Sequence, residues 1–312
     1  MKRFLLRVLL LGVLCLGILF GLSRGYLALL NTDYERSEST TLKFKHVPEH
    51  IQIAAFGSSH TENAFQSVSY HRNESFFNFG MQRQNPTMDY AIYKAYHGSL
   101  DKNAIVIITL SYFSFFDDTS HSLSVMKRYV NFLPVQALPN PKMQLFRVFR
   151  VLDFSFEPVF SFLEGRTADY TVSETTTLAS SMTEEELVAL GEKRAQIFFN
   201  QIGDAKIDPE IDAALRRLLS DCIENGYRPV LVTTPYLDEF TRNFSESFLD
   251  LFQAECQAYA DDFGIPYLDY SRDDRFAHTP KYFVDTDHLS SDGSEAFMDL
   301  FFDDLKAFYP ED

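Results

Sequence analysis

Seven consecutive apolar or β-branched residues, Ala104 to Leu110 (AIVIITL), constrain the fold of this 312-residue chain more than any other stretch. A strand without polar alternation is buried on both faces, and such strands belong to parallel sheets covered by helices. Pro229 to Thr234 (PVLVTT) is a second run of this kind, and Pro266 to Tyr270 a shorter one. Ile51 to Phe56 is another, broken by the turn Gly57-Ser58-Ser59, and Phe76 to Phe79 stops at Gly80. Helical spacing separates these runs. Asn85 to Tyr96 places Met88, Ile92 and Ala95 on one face, and Ile211–Asn225 and Glu246–Phe263 precede the two later strands. A last amphipathic helix is expected from about Ser290 to Phe308, with Ser290 or Ser291 as its N-cap. The alternation predicts an α/β domain over residues 50–312, a doubly wound parallel sheet with right-handed crossovers. The interval 111–204 is too long for one crossover and is expected to be a partly helical insertion beside the sheet.

The N-terminus carries the topological signal. Lys2, Arg3 and Arg7 precede an apolar stretch from Val8 to Leu22, followed after Arg24 by Tyr26 to Leu30. Phe4 to Leu22 reaches the length of a membrane helix if Arg7 snorkels to the interface. A cleaved signal peptide also has a basic start and an apolar stretch, but Leu22-Ser23-Arg24-Gly25 is a poor small-residue cleavage site. Residues 1–30 are therefore expected to be a transmembrane anchor or a signal peptide, and 31–49 a polar linker. Under both readings the basic start stays in the cytoplasm and the remainder is extracytoplasmic at the cell membrane.

Composition excludes some partners. Lys and Arg number 28 against 44 Asp and Glu, a formal net charge of −16, which opposes binding to a phosphate backbone. The three cysteines, Cys15, Cys222 and Cys256, have no metal-ligand spacing, and neither a metal nor another cofactor is expected. Cys222 and Cys256 form the only possible disulfide pair outside the apolar run. Well-separated cysteines in a chain of this length are expected as buried free thiols.

Ligands of a doubly wound sheet bind beyond the carboxyl ends of its strands, and three sequence features fall there. Gly57-Ser58-Ser59-His60 ends the first strand; a Ser on such a turn exposes its hydroxyl beside backbone N–H groups, which suits a nucleophile. The same residues could simply cap a helix, with Ser59 as N-cap and Glu62 completing a capping box. Asp285-Thr286-Asp287-His288-Leu289-Ser290 lies before the last helix. There a His can reach across the sheet, and an Asp three residues earlier can fold back to hold its other ring nitrogen. By the same spacing Asp287, adjacent to His288, is expected to point away from the imidazole. Asn78-Phe79-Gly80 follows the second strand, where Gly permits close backbone approach.

Together these blocks resemble the SGNH/GDSL hydrolase family, in which a Gly-x-Ser turn ends strand one, a Gly follows strand two and an Asp-x-x-His pair precedes the last helix. The resemblance covers about residues 50–308. It implies a flavodoxin-like three-layer SGNH fold with a central parallel sheet and a Ser-His-Asp triad. Matched position by position, Ser59 is the nucleophile, His288 the general base and Asp285 its orienting acid, with Ser59 and Gly80 as backbone oxyanion donors. The family's Gly-x-Asn-Asp block after strand three reads Leu110-Ser111-Tyr112-Phe113 here, so that donor is missing or replaced by Ser111. His60 stands where Leu is common, and no proton-transfer role is expected of it.

The export signal, the GSS block and the DxxHLS ending resemble one subgroup, the proteins of teichoic-acid D-alanylation and polysaccharide O-acetylation. That subgroup implies a membrane-bound O-acyltransferase as partner, an acyl-Ser59 intermediate and transfer to an envelope glycopolymer. Two other readings stay open. The missing strand-three Asn suits a non-catalytic binding or assembly subunit, and the Phe-rich segment Tyr112 to Phe116 suits a lipid-directed esterase with an apolar lid within 111–182.

Overall fold

The apolar N-terminal run forms one 35-residue helix, α1 (Lys2–Arg36), because nothing in it breaks the helical pattern. In this computed structural model, residues 1–36, 42–66, 75–116, 128–130, 132–138, 141–153, 159, 163 and 178–310 are described. Residues 37–41 of the expected linker, and 117–127 and 164–177 of the expected lid, lie outside them. The chain divides into two compact units, residues 1–46 with 121–174 and residues 47–120 with 175–312.

In the first unit, Lys2–Leu29 is a 28-residue stretch long and apolar enough to cross a membrane. At 1.5 Å per residue it spans about 42 Å, more than the roughly 30 Å of bilayer hydrocarbon. Most of its large side chains from Phe4 to Leu22 are exposed, whereas Ser23, Tyr26 and Leu27 are buried. Ser23 Oγ there accepts the Val151 N–H at 3.3 Å, and Phe44 stacks on Phe132 with ring centroids 3.8 Å apart.

The second unit is built on five parallel strands. They are β1 (Ile51–Phe56), β2 (Phe76–Asn78), β3 (Leu100–Thr109), β4 (Arg228–Thr233) and β5 (Tyr267–Asp269). Their order is β2-β1-β3-β4-β5 with every pairing parallel. This is the doubly wound sheet expected from the strand pattern, in the flavodoxin-like order that the resemblance implies, with its switch point between β1 and β3. Strand β3 begins four residues before the apolar run, where Leu100 pairs with Ile51; the register then shifts before Ile53 meets Ile105, and Asn103 adopts φ 64° within the irregularity.

Helices follow local capping chemistry. α2 (Ser59–Ala64) leaves β1, and α3 (Pro86–Tyr96) starts with Pro86 behind an Asn85 cap. α4 (Glu184–Ile202) opens on a Thr183–Glu186 capping box, and α5 (Pro209–Glu224) on Asp208. α6 (Glu246–Phe263) ends at Gly264 in the left-handed region, and α7 (Ser291–Leu305) is capped by Ser290. α4 falls inside the interval expected as an insertion yet belongs to the sheet unit, burying Leu187, Gly191, Ala195, Phe198 and Ile202 on one face. Cys222 and Cys256 are free and buried. The first and last helices of this unit are pinned together where the Ser294 hydroxyl donates to the Ala64 carbonyl at 2.8 Å.

Candidate active site

The turn after β1 is shaped by Gly57, whose φ of 134° a side-chain-bearing residue rarely adopts. A Cβ there would also lie 2.8 Å from the Thr109 carbonyl of β3. This close approach sets the start of α2. Ser58, rather than Ser59, is the N-cap: its Oγ accepts the His60 N–H at 3.3 Å. The alternative capping role considered for Ser59 and Glu62 is therefore taken by Ser58. Ser59 becomes the first helical residue, and its hydroxyl lies 2.8 Å from His288 Nε2.

His288 reaches that point from a loop closed like a hairpin. Phe283 and Leu289 form an antiparallel bridge, and the Val284 N–H donates to the His288 carbonyl at 2.9 Å. Within the loop, Asp285 Oδ1 accepts the backbone N–H groups of Asp287 and His288 at 3.0 and 2.8 Å. The same carboxylate accepts His288 Nδ1–H, at 2.9 Å to Oδ2. A side chain held by its own turn has little freedom to leave the imidazole. With Nδ1 donating, Nε2 is the acceptor for the Ser59 hydroxyl.

A second, deeper layer lies beneath these three residues. Arg194 on α4 grips Asp287 through a fork, with Nε on Oδ1 and Nη2 on Oδ2, both at 2.6 Å. Asp287 Oδ2 also accepts from His60 Nε2 at 3.2 Å, and His60 Nδ1 lies 2.6 Å from Ser111 Oγ. Ser58 Oγ, 3.2 Å from Ser111 Oγ, ends the chain. Phe113, Phe198 and Tyr236 surround the His60 ring, and the His288 ring lies over it with centroids 4.9 Å apart.

Charge follows from this burial. Desolvation outweighs the Asp287 hydrogen bond at His60 and holds its pKa below the ordinary imidazole value, so it is neutral. For Asp287, burial opposes ionisation but is overcome by His288, His60 and Arg194, which hold its pKa far below the ordinary carboxylate range. Burial likewise lowers the proton affinity of His288, but the Asp287 and Asp285 carboxylates outweigh it and raise the net pKa. Asp89 of α3, wholly buried, is pushed up to about 7 by desolvation, against hydrogen bonds from Gln84 and the Gly57 backbone.

The structure thus brings Ser59, His288 and Asp285 together, and turns Asp287 to Arg194 and His60, 3.9 Å from His288 Nδ1. The two other expected oxyanion donors, Ser111 and Gly80, have partners of their own here. Ser111 is 0% exposed, its N–H donates to Ser114 Oγ at 2.8 Å, and its hydroxyl faces His60. It belongs to the buried layer with Ser58 and His60 rather than to a surface around Ser59. Gly80 donates its N–H to Asn78 Oδ1 at 2.8 Å, and a Cβ there would meet Thr61 Cβ at 2.7 Å.

Nothing in the sequence singles out Arg194, and the sequence assigns Asp287 and His60 no part in the site. Arg194 follows the charged residues Glu192 and Lys193, and its one signal in the sequence is its place beside the buried stripe through Ala195. His60, Asp287 and His288 offer ligand atoms within 4.8 Å of one another. However, both Asp287 oxygens are bonded to Arg194, so a guanidinium already supplies the positive charge at that point.

No protein family's profile matches the chain, and no curated protein matches it. Among solved structures it is similar to a Bacteroides fragilis protein described as an acylhydrolase, with 13% identity and a TM-score of 0.41, covering 86% of this chain and 94% of that one. It is also similar to a GDSL-like lipase of Bacteroides thetaiotaomicron, with 13% identity and a TM-score of 0.40, covering 87% and 98%.

Proposed function

We propose that the chain is an exported, serine-dependent acyltransferase or esterase that acts on a cell-envelope polysaccharide or teichoic acid through an acyl-Ser59 intermediate. The observation that carries this reading is the hydrogen-bonded line from Ser59 Oγ to His288 Nε2 at 2.8 Å and from His288 Nδ1 to Asp285 at 2.9 Å. His288 takes the Ser59 proton as the oxygen attacks an acyl carbonyl, and Asp285 stabilises the imidazolium that forms. The proton then passes to the leaving oxygen. In the second half, His288 deprotonates an incoming hydroxyl, from polymer or water, which attacks the acyl-serine and frees Ser59.

The oxyanion donors are the Ser59 N–H, in the first turn of α2 where helical N–H groups lack intrahelical acceptors, and the Gly80 N–H. Gly80 takes this role by exchanging its hydrogen bond from Asn78 to the oxyanion. Uncleaved, α1 anchors the chain with its basic start in the cytoplasm and the sheet unit outside. The envelope substrate and a membrane-bound O-acyltransferase partner rest on the resemblance of the GSS and DxxHLS blocks.

The engagement of Gly80 by Asn78, together with the inward Ser111, favours the second reading: a non-catalytic assembly subunit. A fluorophosphonate probe separates the two. Labelling lost in Ser59→Ala supports catalysis; folded wild-type protein that stays unlabelled supports the subunit reading.

A further inference from the structure

We propose that Arg194, Asp287 and His60 are positioning residues for His288: they lock the 285–288 loop against α2 and α4 and set the charge around the imidazole. This deepens the proposed function and rests on the reading of Ser59, His288 and Asp285 as an acyl-transfer triad.

Two Ser-His-Asp lines lie one above the other. The upper, Ser59–His288–Asp285, ends at a part-exposed hydroxyl. The lower, Ser111–His60–Asp287, repeats the order with 2.6 and 3.2 Å contacts, yet its members are 0%, 2% and 1% exposed. No substrate can reach a hydroxyl so enclosed, so the lower line acts only through the upper one. Its hydrogen bonds form a consistent chain: Ser58 donates to Ser111, Ser111 to His60 Nδ1, and His60 Nε2–H to Asp287. Arg194 closes it from α4.

The contact with His288 is direct. Arg194 Nη2 lies 3.5 Å and Asp287 Oδ2 3.9 Å from His288 Nδ1, and Arg194 Nε lies 3.9 Å from Asp285 Oδ2. The groups facing the imidazole are therefore Asp285 and Asp287 of its own loop, His60 and Ser59 of α2, and Arg194 of α4. One cation against two carboxylates leaves a net negative site, which favours the imidazolium formed during transfer. An Arg fork is the side chain suited to this position, since it satisfies both carboxylate oxygens and stays charged.

The test follows two readouts of the full-length protein in detergent across pH: the rate at which a fluorophosphonate probe modifies Ser59, and the titration of the His288 ¹³Cε1 resonance, identified by its loss in His288→Gln. Removing the cation in Arg194→Met should move both midpoints to higher pH, by about one unit for a charge at this distance. Asp287→Asn should move them to lower pH. Arg194→Met with Asp287→Asn leaves no unpaired buried charge, so it should fold and return the midpoints towards wild type. Arg194→Lys should lie between wild type and Arg194→Met. Midpoints that stay fixed in folded single variants, or that move in the same direction in both, would overturn the proposal. A wild-type Ser59 that no probe modifies removes the acyl-transfer reading, while the resonance titration still decides whether Arg194 and Asp287 act on His288.

Discussion

Ser58 and Ser59 are neighbours on one turn, yet their hydroxyls serve opposite sides of it. Ser58 Oγ turns inward, capping α2 and lying 3.2 Å from Ser111 Oγ, while Ser59 Oγ turns out to His288 at 2.8 Å. The Gly57 conformation makes this division possible, because it lets the chain leave β1 and enter α2 within two residues.

The two serines should therefore fail in different ways. Ser58→Ala removes an N-cap, worth about 1 kcal/mol, and leaves the Ser111 hydroxyl without its donor. A fall in thermal midpoint with Ser59 still open to the probe is the expected result. Ser59→Ala should leave the midpoint close to wild type and abolish labelling.

Acyl transfer should depend on the triad as a unit. Ser59→Ala and His288→Ala are each expected to lose transfer by about 10⁴-fold or more, and the double variant should be little worse than either. Asp285→Asn should cost roughly 10⁴-fold by favouring the wrong imidazole tautomer. Polymer acylation in cells lacking the native chain measures this, and full complementation by Ser59→Ala would remove the catalytic reading.

The pH dependence has a definite sign. His288 must be neutral to accept the Ser59 proton, and its pKa is raised, since Asp287 and Asp285 outweigh burial. Activity should thus rise with pH through a midpoint above the ordinary imidazole value near 6.5. The same shift stabilises the fold below that ordinary value, a contribution lost as pH rises through the folded-state pKa. The lowered pKa of Asp287 works at the other end: its contribution is present above the ordinary carboxylate pKa and lost as pH falls through the folded-state value. A pH–rate profile from about pH 5 to 9 checks the first, and a thermal midpoint that starts to lose the Asp287 contribution only below about pH 4 checks the second.

Asp89 gives a separate stability signature. Burial raises its pKa to about 7, against hydrogen bonds from Gln84 at 2.6 Å and from Gly57. A raised carboxyl pKa means that ionisation opposes folding, so stability should fall as pH rises from about 4 to about 7. Asp89→Asn cannot ionise. Its thermal midpoint relative to wild type should increase between pH 5 and pH 8, taken as approximate test values, and a difference independent of pH would contradict the assignment.

Much of the fold was legible locally. The uninterrupted run Ala104–Leu110 demands burial on both faces, and that demand alone makes the sheet parallel and covered by helices. Caps such as Asn85 and Ser290 mark helix starts through short-range hydrogen bonds that any isolated segment would favour. Asp285 and His288 could be paired from their spacing, since a three-residue turn brings a carboxylate back to an imidazole. What only the tertiary structure decided is which distant groups share a buried space. Arg194 and Asp287 are separated by 93 positions, and Ser111 and His60 by 51. Hydrophobic periodicity reports that a residue faces inward, but not which charge it meets there. Arg194 lies beside a buried helix stripe; only the tertiary packing of α4, whose Gly191 sits against the Glu239 carbonyl, turns it to Asp287. Ser111, two residues past β3, is sealed with His60 beneath Phe113 and Phe198, so its hydroxyl faces His60 rather than the surface where Ser59 is part-exposed.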